Sequence, residues 1–299
     1  MKNNNKILIT GITGQDGIIL SSLLVKKKYE VIGFTSKKIK KTKKNITYLN
    51  VDLKKKQQIK KILNIYAPTH LIHFGSSNPS YGEKEKFFYE NYISTKNLID
   101  AILESKKNVN FIFSNSSHIF KKKNYVTEKD SFKISSSYTK FRIKIYKYLK
   151  LKKKTDNFKF CNLILFNHDS KYRKKKFLIP RLIKNIKNNN FNFVKNIYKE
   201  NIQADFSHAE DICHAIYLII KKNLVIDNLI LSSGKKTKLN DIINYMIKRY
   251  FKIKEMQKLK IKKNDNFIIG NNRLAKKLLN WKIKKNIFTA VDEMIKYRI

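Results

Sequence analysis

Apolar and polar positions along this chain follow two rhythms. Short apolar runs at 6–10, 29–34, 46–49, 70–74, 109–114 and 160–166 read as buried strands. Between them lie lysine-rich stretches whose apolar residues return every three or four positions, which predicts helices at 16–27, 54–65, 88–105 and 136–153. Pro68 stands just before the fourth run and keeps the helix ahead of it short. Strand and helix therefore alternate through the first two thirds, the pattern of a parallel sheet with helices on both faces. The carboxyl ends of its strands are expected to gather Gly11, Gly75, the 114–118 segment and Asn167 around one crevice. From about residue 170 the rhythm changes. Helices are expected at 178–188, 208–221, 238–250 and 286–297, with extended pieces at 191–194 and 228–231.

The first strand runs into the most specific stretch of the sequence. The chain has only 8 glycines, and Gly11, Gly14 and Gly17 fall within seven residues, between an apolar strand and an amphipathic helix. Glycine is needed where a turn bends tightly or where backbone must approach a pyrophosphate, the anion then resting on the helix N-terminus. The fold class expected is therefore α/β: a Rossmann-type sheet over residues 1–170 and a smaller substrate-binding lobe, mainly 171–299, interleaved with it. No linker or internal repeat marks a boundary.

Charge changes this picture less than its size suggests. The formal net charge is +44, which by itself points to nucleic acid or an acidic membrane surface. The basic residues are nearly all lysine and run from end to end, alongside abundant asparagine, isoleucine, phenylalanine and tyrosine. That is the signature of an A/T-rich coding sequence, so no specific nucleic-acid partner is expected. The field would still favour capture of a polyanionic small substrate. No run of eighteen apolar residues exists, and the first strand begins at Lys6, so neither a membrane span nor a leader is expected. Cys161 and Cys213 sit in apolar surroundings and read as buried thiols of a cytoplasmic enzyme.

Candidate chemistry collects around a helix. Tyr138 and Arg142 are four apart and share its face, and a nearby cation favours the phenolate that proton transfer needs. Ser116 and Ser117 end a buried strand and can set a hydroxyl opposite the tyrosine. His118 follows them, either as a base or as a loop histidine without a proton-transfer role. Asp52 has two readings, an acceptor for an adenine amino group or a helix N-cap. After the second strand the carboxylate that would hold a bare ribose is missing. Ser36 and Lys37 stand there, which favours NADP, with NAD possible. The remaining histidines have no ligand spacing, and no metal is expected.

These residues carry a resemblance. Ile9-Thr-Gly-Ile-Thr-Gly-Gln-Asp-Gly17, Leu163-Ile-Leu-Phe-Asn-His-Asp-Ser170 and Asp205-Phe-Ser-His-Ala-Glu-Asp211 resemble segments of the extended short-chain dehydrogenase/reductase superfamily, and within it the GDP-mannose 4,6-dehydratase family. The likeness spans residues 6–250. It implies dehydration of a GDP-sugar by internal hydride transfer, with Tyr138 as base, Ser116 at the family's threonine, and Arg142 and His118 in the catalytic set. It implies cofactor contacts from Gly11, Gly14, Gln15, Asp16, Gly17, Asp52, Leu53, Gly75, Tyr138 and Arg142, and substrate contacts from Ser117, Asn167 and Arg181. A homodimer or higher homo-oligomer, packed through 88–105 and 136–153, is implied too. Three residues depart from the pattern: Arg142 replaces a lysine, His118 a glutamate, and Ala204 an arginine. An epimerase, a 4-ketosugar reductase that needs no C5 base, and a cofactor-binding relative without turnover are the alternatives.

Overall fold

The computed structural model describes residues 5–36, 43–76, 86–121, 124–251 and 259–298. In chain order its elements are β1 (Lys6–Thr10), α1 (Gln15–Lys26), β2 (Glu30–Thr35), β3 (Ile46–Asn50), α2 (Lys56–Tyr66), β4 (His70–His73), α3 (Lys86–Ser105) and β5 (Asn110–Ser116). There follow β6 (Tyr125–Val126), α4 (Ser137–Asp156), β7 (Phe160–Leu165), β8 (Asn167–Asp169), α5 (Leu178–Lys187), α6 (Phe191–Lys199), β9 (Gln203–His208) and α7 (Ala209–Lys221). The last are β10 (Ile226–Leu231), β11 (Lys236–Lys238), α8 (Leu239–Met246), β12 (Ile269–Gly270), α9 (Arg273–Leu279) and α10 (Ile287–Arg298). The chain divides into two compact units. One comprises Met1–Ile119, Ser131–Ile164 and Cys213–Leu229, the other Phe120–Asp130, Leu165–Ile212 and Ile230–Ile299.

The first unit is built on a seven-stranded sheet of order β10-β7-β5-β4-β1-β2-β3. β1 pairs in parallel with β2 on one side and with β4 on the other, so the strand order reverses beside it. Against one face, α2 presents Ile59 and Leu63, α3 presents Leu98, Ile99 and Ile102, and α4 presents Phe141, Ile145 and Leu149. They meet Leu8, Ile32, Phe34, Leu71, Phe111 and Phe113 of the strands. Truncating one of the buried rings, Phe141→Ala for instance, is expected to cost about 3–5 kcal/mol. Local chemistry ends the helices where the sequence breaks. Ala67 turns left-handed (φ 43°) and its N–H caps Leu63 O at 2.9 Å, and Pro68 cannot continue α2. α4 starts on a capping box in which Ser136 Oγ accepts from Thr139 N and Thr139 Oγ1 accepts from Ser136 N.

The second unit holds a three-stranded sheet, β11-β9-β8, in which β9 pairs in parallel with β8 and antiparallel with β11. Helices α5, α6, α8 and α10 bury Leu182, Val194, Ile243 and Met294 in one apolar cluster. Here the sequence expectation needs correcting. The stretch 191–194 is not extended but opens α6, because Val194 and Tyr198 lie four apart on the buried face. Aromatic and β-branched letters favour strands, yet burial along a helical stripe outweighs that preference. The helix expected at 238–250 runs as α8 and then a π-helical turn at Ile247–Phe251. No helix among the described residues is long and apolar enough to cross a membrane.

Candidate active site

The reversal of strand order leaves two glycines at adjacent carboxyl ends, Gly11 after β1 and Gly75 after β4. Gly11 has φ +70°, and a Cβ there would stand 2.9 Å from Gly75 N. A Cβ on Gly17 would lie 2.5 Å from Gly11 O and 2.6 Å from Ile12 Cα, both backbone atoms that cannot yield. Gly14 donates to Gly11 O at 2.9 Å and caps α1 without any side-chain hydrogen bond. The first turn of α1 thus presents backbone N–H groups at a bare glycine bend, the setting that binds a pyrophosphate. Gln15 is buried and donates to Asp16 Oδ1 at 3.1 Å, and Asp16 O receives Cys213 Sγ at 3.6 Å. This cradle fits a dinucleotide.

Behind the bend runs a buried polar relay that the sequence reading did not anticipate. His73, 1% exposed, has Nδ1 at 2.7 Å from Thr10 Oγ1 and Nε2 at 2.9 Å from Thr95 Oγ1. Thr95 spends its only proton on Asn91 O, so His73 Nε2 must carry a proton and Nδ1 must accept from Thr10. Gly75 N–H in turn donates to Thr10 Oγ1 at 3.0 Å. Burial, aided by the Arg142 charge, pushes the His73 pKa down to about 3, which keeps the ring neutral.

Tyr138 sits in the first turn of α4, placed there by the Ser136–Thr139 cap, and Arg142 follows one turn later. The Arg142 guanidinium lies 4.9 Å from the Tyr138 ring centroid, with Phe141 at 5.1 Å and Phe113 at 5.4 Å. One of its terminal nitrogens donates to Ser114 O and the other to Ser76 Oγ at 3.0 Å. Ser116, at the end of β5, takes His118 N on its Oγ at 3.3 Å. Ser117 is buried in the short turn that follows. His118 remains exposed, its ring edge-on to Tyr138 with centroids 6.3 Å apart. Partial loss of hydration around the ring, and then the Arg142 charge, lower its pKa below the ordinary value. A neutral imidazole that can accept a proton therefore stands beside the tyrosine.

The other predicted residues lie on further elements of the two units. Asp52 is exposed and its Oδ1 accepts from Lys54 N at 2.9 Å, while the N-cap of α2 is Lys55. The N-cap reading of Asp52 therefore gives way to an Asx turn. Leu53 packs on the apolar cluster of the first unit. Ser36 is exposed at the end of β2, and Lys37 lies outside the described residues. In the second unit, Asn167 opens β8 and its Nδ2 donates to Asp205 O at 3.3 Å. Arg181, on α5, stacks 4.6 Å from the Phe193 ring. Asp205 itself is fully buried and gathers Ser233 N, Ser233 Oγ and Gly234 N at 2.6–2.9 Å, so it ties down a loop. Ala204, at the departure from the resemblance, packs beside the apolar cluster of that unit.

A parallel sheet that reverses at a glycine bend, with a tyrosine–cation pair two strands along, defines an extended short-chain dehydrogenase/reductase. That superfamily contains the NAD-dependent epimerases and dehydratases that modify nucleotide sugars. The model of the GDP-mannose 4,6 dehydratase family matches residues 8–294, and the chain belongs to that family. A GDP-mannose 4,6 dehydratase of Dictyostelium discoideum is 24% identical over 343 residues, covering 99% of this chain and 96% of that one. Among solved structures, a dTDP-glucose 4,6-dehydratase of Bacillus anthracis matches with a TM-score of 0.82 at 16% identity, covering 98% of this chain and 96% of that chain. A UDP-glucose 4-epimerase of Brucella ovis matches with a TM-score of 0.82 at 17% identity, covering 98% of each. Both are complexes with NAD, and the expectation of NADP is corrected accordingly. It rested on Ser36 and Lys37, and in a chain with 66 lysines and arginines a lysine at one position carries little information.

Proposed function

We propose that this chain is an NAD-dependent nucleotide-sugar enzyme that dehydrates GDP-mannose to the 4-keto-6-deoxy sugar. The observation that carries the reading is the grouping of Tyr138, Arg142 and His118 at the end of β5, in the unit that carries the glycine bend. Gly11, Gly14 and Gly17 with the N-terminus of α1 would hold the pyrophosphate, and Asp52 would face the adenine. Bound NAD supplies a hydride acceptor that returns what it takes. Tyr138 would accept the C4 hydroxyl proton, its ring lying against the Arg142 cation. Ser116 would hold that hydroxyl by hydrogen bond. His118, neutral at physiological pH, would take the C5 proton and pass it to the C6 hydroxyl, which leaves as water. Asn167 and Arg181 of the second unit, and Ser117, would bind the sugar nucleotide.

The test is incubation of the protein with C5-deuterated GDP-mannose and NAD, followed by mass and solvent exchange. Loss of the label together with loss of water is the expected result. Retention of both by a protein that binds NAD defeats the dehydratase reading. A second reading, 4-ketosugar reduction, is favoured by one observation, the imidazole at 118 where a dehydratase of this family carries a carboxylate. Reduction needs no base at C5, and steady oxidation of NADH with a 4-keto sugar nucleotide would select it. A homo-oligomer belongs to the same family reading, and a solution mass near the 35.5 kDa of one chain would remove it.

A further inference from the structure

The side chains around Phe74–Ser76 close a circuit. Gly75 N–H donates to Thr10 Oγ1, and Thr10 donates to His73 Nδ1. Ser114 Oγ donates to the carbonyl of His73 at 2.6 Å, and the carbonyl of Ser114 receives Arg142. The other arm of Arg142 returns to Ser76 Oγ at 3.0 Å, next in the chain to Gly75. Phe74 N–H reaches Thr10 O at 3.3 Å. The ends of β1, β4 and β5 and the first turns of α4 are thus tied to one three-residue segment. That segment packs on Gly11 so closely that a Cβ on either glycine would meet the other strand end within 3.0 Å.

Arg142 is the unusual member. It is 5% exposed, its Nε–H is buried without an acceptor, and it has no carboxylate partner among the described residues. A buried cation without an anion is costly, and the three aromatic faces offset only part of that cost. Composition sharpens the point. The chain holds 60 lysines and only 6 arginines, so drift in this sequence supplies lysine, and lysine is what the family resemblance places here. Arginine stands there against both tendencies. A lysine offers one compact ammonium on a flexible stem, whereas the planar guanidinium holds two N–H groups apart in a fixed fork. The fork serves Ser114 O from one terminal nitrogen and Ser76 Oγ from the other.

We infer that Arg142 and His73 are positioning residues which, through Thr10 and Ser114, hold Gly75 and Ser76 against Gly11 in the geometry that receives the cofactor. The inference rests on the NAD reading above. Arg142 acts through the backbone at 75–76, and the fork, more than the charge alone, is what the position requires.

The test is calorimetric titration of NAD into wild type, Ser76→Ala, Arg142→Lys and the double variant, each checked for a native thermal melt. Each single change is expected to weaken NAD about 3- to 10-fold, the effect of one hydrogen bond. The double variant should be no weaker than the weaker single, since both changes break the same link. Unchanged affinity in the singles, or losses that multiply in the double, overturns the inference. A second arm follows amide exchange in Thr10→Val and Thr10→Ser, without cofactor. Faster exchange confined to Gly75 in the valine variant, restored in the serine variant, supports the circuit. Equal acceleration across Ile7–Ile9 assigns Thr10 to strand packing and overturns it. Should wild type take up no NAD, the cofactor reading fails, and the exchange arm still decides whether the circuit exists.

Discussion

The glycine bend and the Tyr138 cluster stand at the ends of nearby strands in one sheet, yet they are built by opposite means. The bend is made of absences. Gly11 and Gly17 exclude a Cβ because backbone atoms lie 2.5–2.9 Å from where it would be, and at Gly14 the nearest backbone atom would stand at a tight 3.1 Å. The cluster is made of side chains brought from the end of β5 and from α4, held by hydrogen bonds and ring contacts. The first region matches the resemblance in its three glycines, whereas in the second histidine and arginine stand where the family resemblance places glutamate and lysine. Steric exclusion of a methyl group is a stricter filter than the supply of a proton acceptor or a cation.

The largest effect should come from breaking the bend. Gly17→Ala drives a methyl into Gly11 O and Ile12 Cα and should cost at least about 1–3 kcal/mol of stability. NAD binding should fall by two orders of magnitude or more, roughly the loss of the helix-terminus anion site. A thermal melt and an NAD titration read both, and an alanine variant that binds normally would mean the bend does not hold the pyrophosphate. Tyr138→Phe should do the reverse. Turnover of the sugar nucleotide should drop about 10²- to 10⁴-fold with NAD affinity nearly unchanged. A fall in affinity matching the fall in turnover would move Tyr138 from chemistry to binding.

Acid should act on the framework between the two regions. His70 and His73 are buried with pKa values pushed down to about 4 and about 3, chiefly by burial. Both are neutral in the folded protein, while the unfolded chain protonates them below about pH 6.5. The unfolded state then binds more protons, so stability present above that pH should decline as pH falls toward the folded-state values. Denaturant titrations across that window should give a falling unfolding free energy, and His73→Asn should flatten its lower part. The smallest effect belongs to Asp52. Asp52→Ala should weaken NAD about 3- to 10-fold, whereas Asp52→Asn, which keeps the Asx acceptor, should weaken it less. Equal affinities for all three would leave Asp52 as a turn residue only.

What was legible follows the same division. The strands of the first sheet appear as apolar runs, and β1 spans Lys6–Thr10, the run read from the sequence. The helices against it follow because one stripe of each is buried. The pairing of Tyr138 with Arg142 was readable because helical spacing is local. His73, Thr10, Ser114 and Ser76 were not, since their bonds join residues 28 to 66 positions apart and no spacing rule connects them. The second unit was legible in α5 and α10, expected at 178–188 and 286–297 and found at Leu178–Lys187 and Ile287–Arg298, and harder to read elsewhere. The short strands β8 and β11, three residues each, leave no periodicity to detect, and the three loop donors that Asp205 gathers lie 28 and 29 positions away.

The Thr10–His73–Thr95 relay has a direction, since every proton in it points from Gly75 toward Asn91. That fixes His73 in the Nε2–H tautomer, a state that imidazole nitrogen chemical shifts register without any added label beyond ¹⁵N. The ring is thereby a built-in reporter, buried from bulk solvent and set by the proton that Thr95 gives to Asn91 O. A shift toward the other tautomer would announce that Thr95 had turned that proton back toward the ring, before any change in overall fold could be seen.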